Sequence, residues 1–129
     1  MERRLDQDLD RVRQALLKMG GMVEGLVAKA TKSLLDRNNQ LSTEVIDGDR
    51  DVDHLEIEID EACHLILGTK QPTAVDLRFL VAVMKINSDL ERIGDSAVNI
   101  AQSVLQLNEQ PALKPYIDLP HLSELVQAM

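Results

Sequence analysis

The chain has 129 residues, 22 acidic against 14 basic side chains and a formal charge of −8. One domain-sized unit with a real core is expected, and nucleic acid or an anionic membrane surface is a poor direct partner. A single cysteine excludes an internal disulfide, the ~20 apolar residues of a membrane span are nowhere found, and the opening MERRLDQDLD lacks the apolar stretch of a secretory signal, so a cytoplasmic location is expected.

Aromatic side chains make up 2% of the chain, so the core must come from Leu, Val, Ile, Met and Ala, which suits helix packing. The first predicted helix runs from about Leu5 to Arg37. Its apolar stripe is Leu5, Leu9, Val12, Leu16, Met19, Val23, Leu26 and Ala30, at spacings of three and four. Gly20-Gly21 interrupts it, at a cost of roughly 1 kcal/mol each relative to Ala, and reads as a kink or a close helix approach. Asn38-Asn39-Gln40 breaks the pattern. The second helix is expected from a cap at Ser42 or Thr43 to Leu67, stopping at Gly68. Its core positions are Val45, Val52, Leu55, Ile59, Ala62, Cys63 and Ile66. The third follows Gln71-Pro72, with Thr73-x-x-Asp76 as a capping box. It continues to about Asn108 through Phe79, Val83, Ile86, Leu90, Ile93, Ala97, Ile100 and Val104. Three long helices with short links predict an all-α, antiparallel up-down-up bundle over residues 1–109. Pro111, Pro115 and Pro120 mark a linker over 110–120, which holds Tyr116. The segment 121–129 opens a further amphipathic helix, expected to be the start of a truncated second bundle.

Acidic side chains carry the functional signal. Asp49 and Asp53 stand four apart on the second helix, as do Glu91 and Asp95 on the third, and Glu56 and Asp60 extend the first pair. Residues four apart share a helix face, and like charges so placed cost a few tenths of a kcal/mol. On a helical wheel the second-helix acids fall roughly 60° to 120° from the core centre, and Glu91 and Asp95 roughly 110° to 150°, with Asn87 and Asn99 on either side. Both offsets have the same sign. The handedness of the bundle then decides whether they meet in the outer groove between the two helices or on the side facing the first. The tight turn at Gly68 to Pro72 sets Glu91 level with Arg50 and Asp95 level with Ile46. Asp49, Asp53, Glu91 and Asp95 therefore form the best constellation, with Glu56 and then Asp60 as extensions. An all-oxygen cluster suits magnesium, manganese, calcium or oxygen-bridged iron, and more than one ion. The alternative is a plain acidic face turned to water.

Other candidates carry less. Glu61-x-x-His64 occurs once, whereas a di-metal oxidase needs it twice, with two more glutamates. His54 is placed on a solvated acidic face. His64 follows Asp60 by one turn and can reach it. Arg92 can pair with a neighbouring acid. There is no Gly-rich phosphate loop, no Ser/His/Asp set and no CxxC.

Several segments resemble the PhoU family of phosphate-signalling proteins. The likeness is carried by Gln71-Pro72 with Asp76-Leu77-Arg78, and by the run from Glu91-Arg92-Ile93-Gly94-Asp95 to Asn99-Ile100. It extends through Met19-Gly20, Val23-Glu24, Asp49, Asp53, Glu56, Ile59-Asp60-Glu61 and Tyr116-Ile117-Asp118-Leu119-Pro120. The resemblance implies two tandem three-helix bundles, of which one and the opening of the next are present here. It implies multinuclear metal clusters, of iron or zinc, on acid-x-x-x-Asp motifs that fall at Asp49/Asp53 and Glu91/Asp95; manganese and magnesium also suit those ligands. It further implies a cytoplasmic, non-enzymatic negative regulator that links the phosphate ABC transporter ATPase to a sensor histidine kinase, reaching the inner membrane through those partners. Surface left open by the absent bundle predicts a homo-oligomer. A helical adaptor whose acidic stripe is a solvated or docking surface is the alternative function.

Overall fold

The computed structural model describes Glu2 to Glu109, with side chains from Arg4 onward. The linker expected over 110–120 and the segment 121–129 lie outside these residues. Three helices make up the fold: α1 (Glu2–Asp36), α2 (Asn39–Thr69) and α3 (Ala74–Asn108). Each packs along both of the others. Short links make α2 antiparallel to its neighbours, so α1 and α3 run side by side in one direction. Arg13 stacks over the Phe79 ring near their starts, 5.1 Å from its centre, and Arg37 meets Asn108 at their ends. This is the expected up-down-up bundle.

The core forms where apolar positions recur at three and four. Met19, Val45, Val52, Ile59, Cys63, Leu80, Val83 and Val104 are essentially sealed from solvent. Each aliphatic side chain so buried contributes about 1.5–3 kcal/mol relative to exposure. The α1 and α2 stripes lie largely where expected, with Leu5, Leu16 and Ala62 half-buried against the core cluster.

The α3 stripe does so only in part: Val83, Ala97 and Val104 are buried, and Phe79, Leu90 and Ile100 pack against the core. Ile86 and Ile93 are each 46% exposed, while Asn87 and Gly94 face inward. The interior line is Leu80, Val83, Asn87, Gly94, Ala97, Ala101 and Val104. Small and polar residues occupy inward positions, so a wheel weighted by hydropathy is drawn toward the isoleucines one residue back. The true orientation is turned by about half a residue step, roughly 50°. That turn carries Glu91 and Asp95 closer to α2 than expected.

The helix ends also differ from expectation. Asn38, not Ser42 or Thr43, caps α2; its side-chain oxygen accepts from the Leu41 amide at 3.1 Å. Arg37 sits at φ 52, in the left-handed region, which ends α1 and lets α2 restart within two residues. Ser42 is instead buried inside α2. α2 runs through Gly68 to Thr69, and the Lys70 amide closes its last turn on the Ile66 carbonyl. The Thr73–Asp76 capping box forms as expected. Gly20 and Gly21 stay helical and make no close approach, because a Cβ at either would meet nothing within 4 Å. Close approaches occur instead at Gly48, where a Cβ would lie 3.0 Å from Leu26 Cδ2, and at Gly94.

Candidate metal centre

Backbone register brings the acids together. Asn87 on α3 donates its Nδ2 hydrogen to the Glu56 carbonyl of α2 at 3.0 Å, locking the two helices axially. Two turns further along, Gly94 faces Asp49: a Cβ there would sit 3.1 Å from Asp49 Oδ1 and 3.7 Å from Val52 Cγ1. These two contacts set the α2–α3 level about two residues from the sequence expectation, with Asp49 rather than Asp47 opposite Gly94. A helix-interior glycine costs roughly 1 kcal/mol in propensity, and here it leaves room for a carboxylate to lie against the helix backbone.

Oxygens of Asp49, Asp53 and Asp95 all lie within 4.8 Å of one another. They occupy the outer groove between α2 and α3. The α1-facing flank of α2 is a different one, marked by Gly48 against Leu26 and by Glu44 paired with Lys29 at 3.7 Å. Handedness, left open by the helical wheels, is thereby resolved. Asp53 and Asp95 are exposed, Asp49 is half-buried, and the Asp49 Oδ1 atom is buried with no hydrogen-bond partner.

Electrostatics follow from crowding. The Asp49 carboxyl is pushed up from 3.8 to about 6 by burial and then by the charges of Asp53 and Asp95. Glu91 is pushed from 4.5 to about 7, first by a hydrogen bond with Asp95, then by burial and by the Asp95, Glu56 and Asp53 charges. Glu56 is also raised, by burial and by Asp60, Asp53 and Asp95. Among the described residues no basic side chain pairs with Asp49, Asp53, Glu56, Glu91 or Asp95. Arg92 pairs instead with Asp89 at 3.9 Å.

Of the six acids singled out from sequence, Asp49, Asp53 and Asp95 form one tight set. Glu91 joins through Asp95 and Glu56 through its charge. Asp60 stands further along the stripe, its carboxylate 3.5 Å from His64 Nδ1, and the exposed His64 ring also contacts the Asp60 carbonyl at 2.8 Å. Sequence reasoning set Asn87 beside the acidic pair and Gly94 within the motif run but gave neither a part in the site. The signal was a glycine at an interior helical position beside an acidic pair.

The donor set fits a hard cation on two grounds. Three carboxylates from two helices converge without a protein cation, and a buried carboxylate oxygen is left without a donor.

The profile of the PhoU domain matches residues 16–104. The chain belongs to the PhoU family. It is 40% identical over 126 residues to the phosphate-specific transport system accessory protein PhoU homolog of Aquifex aeolicus, covering 98% of this chain and 57% of that protein. It is 37% identical over 130 residues to the homolog of Pseudomonas aeruginosa, covering 100% of this chain and 54% of that protein. The crystal structure of PhoU from Pseudomonas aeruginosa superposes with a TM-score of 0.81 at 38% identity, over 95% of this chain and 59% of that one. The chain thus spans about half the length of the relatives it matches. The matched PhoU domain contains all six acids and both contacts, Asn87–Glu56 and Gly94–Asp49, that set their register.

Proposed function

We propose that this PhoU-family chain is a metal-binding, non-enzymatic regulatory module of a phosphate transport system. Its named relatives are accessory proteins of phosphate-specific transport. The observation that supports metal binding is the convergence of Asp49, Asp53 and Asp95 around a buried, unpartnered Asp49 oxygen. Those three side chains would hold one ion. Glu91 and Glu56 beside them are the donors for a second, and Asp60 for an outer position. All-oxygen ligation suits iron, manganese or magnesium, and carboxylates also hold zinc. The bound charge would cancel the repulsion that raises Asp49 and Glu91, and so tighten the α2–α3 groove.

In this reading the module acts by contact, in the cytoplasm, on the ATPase subunit of the phosphate ABC transporter and on a sensor histidine kinase, as a negative regulator and in oligomeric form. Among the described residues no helix is long and apolar enough to cross a membrane. Membrane proximity would therefore come from partners.

The deciding experiment is elemental analysis of untagged protein from cells grown with iron, manganese and zinc. The wild type should carry transition metal, and Asp53→Ala/Asp95→Ala should lose it with the helix content unchanged. A metal-free wild type would sink the metal reading. It would leave the acidic face as a docking or solubility surface of a plain helical adaptor.

A further inference from the structure

A second concave feature lies on the other hairpin. Between the first turns of α1 and the last turns of α2 is a groove of about 490 Å³. Its floor is apolar, from Val12 and Ala15 on one side to Ile59, Ala62 and Ile66 on the other. Leu65 lines it while 64% exposed and extends the apolar floor to the solvent edge.

Its rim is basic although one of its walls is the acidic α2. α2 carries nine acids and one base, which equals the net charge of the whole chain. Yet this groove is lined by three bases, Arg4, Arg11 and Lys70, against two acids, Asp8 and Glu58. Asp8 is engaged by Lys70 at 3.9 Å. Among the described residues Arg4 and Arg11 are in no ion pair. Arg4, Arg11 and Lys18 recur every seven residues on α1, all exposed, and so form one basic line about 20 Å long. An occupant must offer apolar anchors for the floor and carboxylates for that line.

We infer that this groove docks an acidic amphipathic helix of a partner protein, about three turns long, with aliphatic anchors at i, i+3, i+4 and i+7 and carboxylates along its arginine-facing edge. The inference deepens the contact role proposed above by locating a partner surface. It does not depend on the metal site, which lies across α2 in the α2–α3 groove.

The test uses the full chain, labelled with nitrogen-15, and a fluorescein-labelled peptide of about twelve residues. That peptide carries leucines at i, i+3, i+4 and i+7 and glutamates elsewhere. Binding should be saturable by anisotropy, with amide shifts centred on Arg11, Ala15, Leu65 and Lys70. Arg4→Glu/Arg11→Glu should weaken it about tenfold, as should the same peptide with lysine for glutamate. Leu65→Asp, at an exposed site that tolerates a polar side chain, should weaken it comparably. Asp53→Ala/Asp95→Ala should leave peptide affinity unchanged, so loss of metal and loss of docking are read separately. Equal affinity for the two peptides, shifts on another face, or no binding would overturn the proposal. So would capture by phosphatidylserine vesicles that the double reversal abolishes, since the basic line would then serve a lipid surface.

Discussion

Asp49 concentrates the chemistry of the α2–α3 groove. One of its oxygens is buried without a donor, it lies against Gly94 where a side chain would crowd it, and two other carboxylates stand within a few ångströms. Raised carboxyl values mean that the folded state binds protons more tightly than the unfolded chain. Their stabilising effect is complete below about pH 4 and is lost as the pH rises through about 6 for Asp49 and about 7 for Glu91. Metal-free protein should therefore melt at a lower temperature at about pH 8 than at about pH 5, and Asp49→Asn should flatten that difference; calorimetry across the range checks it. Gly94→Ala separates packing from ligation. The methyl group adds up to about 1 kcal/mol of helix propensity but intrudes on the Asp49 carboxylate. Metal-free stability should stay within about 1 kcal/mol of wild type, while metal affinity falls at least about tenfold by isothermal titration. The acids themselves were legible from their i, i+4 spacing. Gly94 was not, because a missing side chain announces no interaction until its neighbour is known.

At the scale of elements, two contacts decide how the helices sit. Asn87 reaches the Glu56 carbonyl in mid-bundle. At the far end Asn108 accepts from Arg37 Nε at 3.1 Å, donates to the Arg37 carbonyl at 3.0 Å and contacts the Asn39 side chain. This clasp holds the left-handed Arg37 turn against the end of α3. Asn108→Ala should cost about 1–2 kcal/mol in urea denaturation and speed amide exchange in the turn and the last turn of α3. The existence, order and approximate ends of the helices were readable from apolar periodicity. The facing of α3 was not, since Asn87 and Gly94 hold interior positions for hydrogen-bonding and steric reasons that hydropathy does not weigh. The α2 start was misplaced for a similar reason. Ser42 has the chemistry of a cap, but Asn38 follows a residue in the left-handed region and captures that role.

At the scale of the whole molecule, charge is unevenly placed. α2 holds nine acids and one base, and its flanks differ: one meets the basic line of α1, the other meets Glu91 and Asp95. A bundle so loaded should gain stability from any multivalent cation that binds the folded form. Chelation should lower the melting temperature of metal-loaded wild type by several degrees and leave Asp53→Ala/Asp95→Ala unmoved; differential scanning fluorimetry reads both. Cys63 has a further use. It is wholly enclosed, and burial followed by the Asp60 charge raises its thiol above the ordinary range. An aromatic disulfide reagent can reach that sulfur only after the helices part, so the colour it releases times each excursion of the bundle, and adding a cation to the medium should slow that clock.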